Sequence, residues 1–177
     1  KMLKIGFPTA LQMFFEVTAF AGAAFICGLV SAKDIASHQI ALSMASFTFN
    51  LCIGFSVAST VLIGRKLGER DFVGLKNVGV NNLKIVFIFM FVCGLFFIIG
   101  RHVLPTFFTK PEDVDVVQLA AKLMIIAALF QLSDGIQVVA LGSLRGIQDV
   151  KIPSIITFIA YWLIAIPLGY VLCVPLK

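Results

Sequence analysis

Residues 83–99 read LKIVFIFMFVCGLFFII, a run that is apolar almost throughout. A helix needs about 20 predominantly apolar residues, with a range of about 17–25, to cross the hydrocarbon core of a bilayer. Four further runs flank this one, at 5–30, 35–63, 116–144 and 152–174. The reading is therefore an all-α, polytopic transmembrane helical bundle of about five spans. The runs at 35–63 and 116–144 exceed the minimum length, which implies tilt or a helical extension beyond the lipid.

Composition supports the same class. Hydrophobic residues make up 60% of the chain and charged residues 13%, against about 45–50% and about 25% in a soluble domain. A chain of 177 residues cannot bury that much apolar surface in its own core, so lipid covers part of it. The first run is too long for a signal peptide and contains Pro8 and Glu16. Lys1 in place of an initiator methionine, and an end just past an apolar run, suggest a piece of something longer.

The basic residues lie in loops between the runs, a pattern of membrane topology and not of nucleic-acid binding. Lys1, Lys4, Arg65, Lys66, Arg70, Lys76, Arg145 and Lys151 fall on one side. Lys33, Arg101, Lys110 and Lys177 fall on the other, diluted by Asp34, Glu112, Asp113 and Asp115. Short loops rich in Lys and Arg stay cytoplasmic, so the N-terminal end is expected inside and the C-terminal end outside. The polar stretches are 64–76 and 101–115. Thr109, Lys110 and Pro111 suit the entry to the fourth helix, with Glu112, Asp113 and Asp115 at its positive dipole end. No internal repeat is visible.

Cys27, Cys52, Cys93 and Cys173 sit singly in apolar runs without metal-ligand spacing. Ser, His and acid residues do not gather in a loop and no glycine-rich loop follows a strand, so no catalytic set is expected and the chain is not read as an enzyme. No cofactor is implied.

Two carboxylates interrupt the runs: Glu16 in the first and Asp134 in the fourth. A charge at mid-bilayer costs at least ~2.5–3.5 kcal/mol and usually faces a bundle interior or a wet cavity. Glu16 follows Lys4 by about as many residues as Asp134 precedes Arg145. At about 1.5 Å per residue both acids lie roughly 16–18 Å from the same face. Gln12 stands one turn before Glu16, and Gln131 and Gln137 flank Asp134, so each acid belongs to a polar stripe. Oxygen donors of this kind suit a hard cation such as sodium, and a carboxylate can instead take a proton. The plain alternative is that the acids hold helices together.

A third stripe, Gln39, Ser43, Ser46 and Asn50, shares one face of the second helix. It suits either a polar cavity or hydrogen bonds between helices. His38 is read as an interfacial residue. Most of the 18 phenylalanines face lipid or neighbouring helices, but Phe20 and Phe130 lie near the acids and suit stacking on a lipophilic cation. Pro153, Pro167 and Pro175 punctuate the fifth run and imply kinks.

Several stretches resemble a known family. They are Gly6, Pro8, Leu11, Gln12, Glu16 and Phe20; Ser37-His38-Gln39-Ile40-Ala41-Leu42; Leu129 through Gln137 followed by Leu144-Arg145-Gly146-Ile147-Gln148-Asp149; and Tyr161-Trp162 with Pro167-Leu168-Gly169-Tyr170. In order and spacing these are similar to the second half of multidrug and toxic compound extrusion (MATE) transporters. The chain departs from the family pattern at Ser43 and at Cys52.

The resemblance implies twelve helices in two six-helix lobes around a central cavity. Residues 1–177 would then be helices seven to eleven, part of the C-terminal lobe. The N-terminal lobe and the last helix would be further partners, besides membrane lipid. It also implies a bacterial inner membrane and export of cationic amphipathic small molecules in exchange for Na+ or H+, with Glu16 and Asp134 on the acidic positions of the sodium-linked bacterial branch. Gln12, Gln39, Ser43, Asn50, Phe20, Phe130, Gln131 and Gln137 are the expected cavity lining. A lipid-linked oligosaccharide flippase of related architecture is a rival, although it would favour a basic cavity. A membrane protein that only builds structure or binds partners is another.

Overall fold

The computed structural model describes residues 2–30, 32–109 and 114–173. The described chain is helical throughout apart from short turns: α1 (Met2–Val30), α2 (Ala32–Gly68), α3 (Phe72–Gly100), a 3-10 turn (Leu104–Phe107), α4 (Val114–Gly146), α5 (Lys151–Phe158), a π-helical segment (Ile159–Ala165) and α6 (Ile166–Cys173). The last three run on as one rod. Among the described residues, the segments Lys33–Gly68, Phe72–Gly100, Asp115–Gly146 and Lys151–Gly169 are long and apolar enough to cross a membrane. Large apolar side chains such as Phe87, Ile88, Val92 and Phe96 on α3 point outward and are exposed. The protein is an integral membrane helical bundle.

α2, α3 and α4 pack as a trio, with α1 against α2 and against the α5–α6 rod. Lipid tails are as apolar as leucine, so helices in a bilayer associate through close packing and interhelical hydrogen bonds. The α2–α4 contact is built that way. The Ser37 hydroxyl donates to the Val116 carbonyl at 3.2 Å, Ser56 to Val138 at 2.8 Å and Thr60 to Gly142 at 2.7 Å. Glycine lets the backbones approach: a Cβ at Gly142 would collide with the Ser56 carbonyl, and one at Gly146 would lie 2.9 Å from the Thr60 carbonyl oxygen. α3 is held by apolar packing, with Val86 and Met90 against Cys52 and Val139.

The polar stretch expected at 64–76 is mostly helical. α2 runs on to Gly68 and α3 starts at Phe72, because Asp71 accepts the Gly74 N–H at 2.8 Å and caps α3 there. Lys66 bridges Glu69 at 2.9 Å and Asp71 at 3.0 Å, and Arg65 pairs with Glu69 at 2.9 Å. At the opposite end Lys33 and Asp115 pair at 2.6 Å between the starts of α2 and α4. Lys110, Pro111, Glu112 and Asp113 of the expected α4 entry lie outside the described residues, as does Pro175; the side chains of Cys27 and Cys173 also lie outside them.

α2 and α4 end alike. Arg70 (φ 59) and Gln148 (φ 66) take the left-handed conformation just past each helix. The next residue, Asp71 or Asp149, donates its N–H five residues back, to Lys66 or Leu144, at 3.0 Å. This is the Schellman closure of a helix, here without glycine. The repeat extends to residue type: Gly64, Gly68 and Asp71 at the end of α2 stand where Gly142, Gly146 and Asp149 stand at the end of α4.

Pro167 lies two residues past the end of the π-helical segment, and the Ile166 N–H between them donates to the Tyr161 carbonyl five residues back. A proline inside a helix removes one ladder bond and crowds the turn before it. The wider π turn is one way for a helix to run on through such a position. Pro153 sits in the first turn of α5, where its missing N–H costs little. Ser154 beside it donates to the Pro8 carbonyl of α1 at 2.9 Å and joins the two helices.

Candidate functional site

α1 and α4 bring the two mid-run acids to one cavity. Glu16 and Asp134 line a space of about 250 Å³ together with Met13, Phe20, Ser46 and Phe130. α1 supplies Met13, Glu16 and Phe20 at spacings of three and four, which is one face of a helix. α4 supplies Phe130 and Asp134 by the same rule, and α2 closes the third side with Ser46. The lining is largely apolar, with two carboxylates and one hydroxyl as its polar groups. Both acids are half-buried.

The polar atoms around Glu16 are incompletely satisfied. Its Oε1 is buried without a hydrogen-bond partner, and so is Nε2 of Gln12 one turn earlier, on a side chain only 1% exposed. A buried polar atom in a low-dielectric site is costly unless something pairs with it. Arg145, at the end of α4, lies within electrostatic reach of Glu16 and also carries a buried, unpartnered Nε. No group of three or more His, Cys, Asp or Glu that could hold a metal ion occurs among the described residues. The donors available to a cation at this cavity are the two carboxylates and the nearby hydroxyl.

The other candidate residues divide. Phe20 and Phe130 line the cavity. Gln131 is buried elsewhere: its Oε1 accepts from Thr48 of α2 at 3.2 Å and its Nε2 reaches the Met90 carbonyl of α3 at 3.5 Å. It ties three helices together. Gln137 donates to the Tyr161 hydroxyl at 3.4 Å and lines a different cavity. Gln39, Ser43 and Asn50 are exposed outside the lining, and Ser43 and Asn50 bond back to Gln39 and Ser46 of their own helix at 2.8 Å. His38 is half-buried with Nε2 unpartnered.

Two features escaped the sequence reading. Tyr161 lies between two groups of residues: its hydroxyl meets Gln137 and its ring lies 6.2 Å from that of Phe20. The hydroxyl seam of α2, which includes Ser37, Ser56 and Ser59, is a second polar stripe. Its signal was small residues at helical spacing facing Gly142 and Gly146.

Long apolar helices around a cavity that holds two carboxylates define an integral membrane protein of the helical-bundle class. The MatE family model matches residues 8–171, and the chain belongs to that family. It is 39% identical over 172 residues to a protein of Photobacterium profundum named multidrug resistance protein NorM, a match covering 97% of this chain and 37% of that protein. It is 38% identical over 168 residues to multidrug resistance protein MdtK of Proteus mirabilis, covering 95% of this chain and 36% of that relative. The chain thus spans little more than a third of the length of these curated relatives.

Proposed function

We propose that this chain is part of the C-terminal lobe of a secondary antiporter that exports organic cations in exchange for sodium or protons across a bacterial inner membrane. The observation that carries the reading is the joint presence of Glu16 and Asp134 on one largely apolar cavity. Kinship with proteins named for multidrug resistance supports the substrate class. Residues 1–177 would supply spans near 5–30, 35–63, 83–99, 116–144 and 152–174, with the N-terminal end cytoplasmic. The first lobe and a last helix would complete the cavity.

In this mechanism a sodium ion or proton taken up by Glu16 and Asp134 neutralises the charge that holds a cationic substrate. Each ligand then weakens the other's binding, which is the coupling that exchange requires. Phe20 and Phe130 offer ring faces to the lipophilic body of the substrate. Rocking of one lobe against the other would carry the loaded site to the opposite face.

The test is efflux of a cationic dye from proteoliposomes holding the full-length protein under an imposed sodium or proton gradient. Glu16→Gln and Asp134→Asn should each abolish gradient-driven efflux while the protein remains inserted and helical. Full coupling in both variants would overturn the reading.

A further inference from the structure

A second cavity, of about 240 Å³, lies between α4 and α5 beside the turn that joins them. Leu141, Ile156 and Ala160 are among its apolar walls, and Gln137, Asp149, Thr157 and Tyr161 are its polar groups. Asp149 is the telling one. Its backbone position matches that of Asp71 in the α2–α3 turn, where the aspartate caps the next helix and pairs with Lys66. Asp149 does neither. The N-cap of α5 is Val150, with no side-chain cap bond. Among the described residues the ion pairs involve Asp115, Glu69 and Asp71 but not Asp149. Lys151 is exposed, and half-buried Arg145 keeps its Nε unpartnered. Among the described residues the carboxylate, half-buried on the cavity wall, has no ion-pair partner.

The inner end of this cavity borders the acid cavity. Tyr161 lines the second cavity, accepts from Gln137, and holds its ring 6.2 Å from that of Phe20 of the first, tilted by 50°. The space is smaller than pockets that take drug-sized ligands. A carboxylate outside any ion pair of the described residues, an aromatic ring and aliphatic walls complement a small amphipathic cation, with the charge at Asp149 and the apolar body inward.

We propose that the α4–α5 cavity is a separate binding site for small aromatic or alkyl ammonium cations, with Asp149 as counter-charge and Tyr161 as the wall towards the acid cavity. The choice of an organic cation rests on the function proposed above; the site itself rests on the cavity and on Asp149. The site lies on the face read as cytoplasmic and would hold a cation on its way to Glu16 and Asp134.

The test uses the full-length protein in detergent, in a Glu16→Gln/Asp134→Asn background that removes the charge of the first cavity. Binding is measured by equilibrium dialysis of benzyltrimethylammonium and of neopentylbenzene, its uncharged isostere, with helical content followed by circular dichroism. Saturable binding of the cation should persist in this background, weaken about tenfold when Asp149→Asn is added, and survive Asp149→Glu. The neutral isostere should not distinguish Asp149 from Asn. Should Asp149→Asn fail to keep its helical content, Ala160→Phe, which fills the cavity, should abolish binding in its place. Absence of saturable binding in the background protein, equal affinity with and without the Asp149 charge, or undiminished binding in Ala160→Phe would each overturn the proposal. None of these results bears on gradient-driven efflux through Glu16 and Asp134, so the two readings fail separately.

Discussion

Ser59 of α2 and Ser143 of α4 share a hydrogen bond of 2.8 Å across the seam between their helices. It is one rung of a ladder that begins at Ser37 and Val116 and reaches Thr60 and Gly142. The ladder joins α2 to α4, and α1 and α5 pack beside this pair to set the two cavities.

The seam predicts opposite signs for two similar substitutions. Gly142→Ala drives a methyl group into the Ser56 carbonyl and should destabilise the protein by about 1–3 kcal/mol. Gly54→Ala meets nothing within 4 Å and should be neutral or stabilising by up to about 1 kcal/mol. Ser59→Ala should cost about 0.6 kcal/mol, the average for such a bond in a membrane protein. Denaturation midpoints in mixed micelles measure all three.

The non-glycine residues at the helix ends offer a gain. Gln148 holds φ 66, where a side chain is disfavoured and glycine is not. Gln148→Gly should raise stability by about 0.5–1 kcal/mol, read as a higher unfolding temperature. Gln148→Val should lower it.

The α2–α3 turn should loosen in acid. The Gly74 N–H and the Lys66 ammonium hold the Asp71 carboxyl below its usual range, and Lys66 and Arg65 do the same for Glu69. A depressed carboxylate contributes stability above its unfolded value and loses it as pH falls through the folded one. Protection of the Gly74 amide from exchange, taken relative to its intrinsic rate at each pH, should therefore be high at neutral pH and fall as pH drops below about 4. Asp71→Asn should flatten that dependence.

The charge bias of the loops gives the orientation. In a protein without other cysteines, Arg70→Cys should react with an impermeant maleimide only from the cytoplasmic side and His102→Cys only from outside. The reverse pattern would invert the topology.

Much of this was legible in the sequence because a bilayer imposes coarse rules. Long apolar runs became helices, and two carboxylates stranded in such runs now line one cavity. What composition could not tell was which polar face of α2 is buried. Gln39, Ser43, Ser46 and Asn50 suited either a cavity or a helix contact; Ser46 lines the acid cavity, and it is Ser37, Ser56 and Ser59 that are sealed against α4. A serine can bond its own helix wherever it lies, as Ser43 does to Gln39, so residue type alone does not separate the two faces. Gln131 shows the same limit: an amide beside an acid reads as cavity lining, and its bonds to Thr48 and the Met90 carbonyl are visible only in the fold. The early start of α3 was hidden because Lys76, Asn77, Asn81 and Asn82 interrupt the apolar residues after Asp71, although the aspartate that caps it was in view.

The central claim is that Glu16 and Asp134 form one site where a small cation and an organic cation exclude each other. Displacement of a bound cationic dye from the full-length protein by added sodium, or by lowered pH, tests it most directly. The account predicts release that saturates with the added ion in the wild type, and loss of that release in Glu16→Gln and in Asp134→Asn. Dye that stays bound in the wild type at saturating sodium and at low pH, or release that is unchanged in both amide variants, would contradict it.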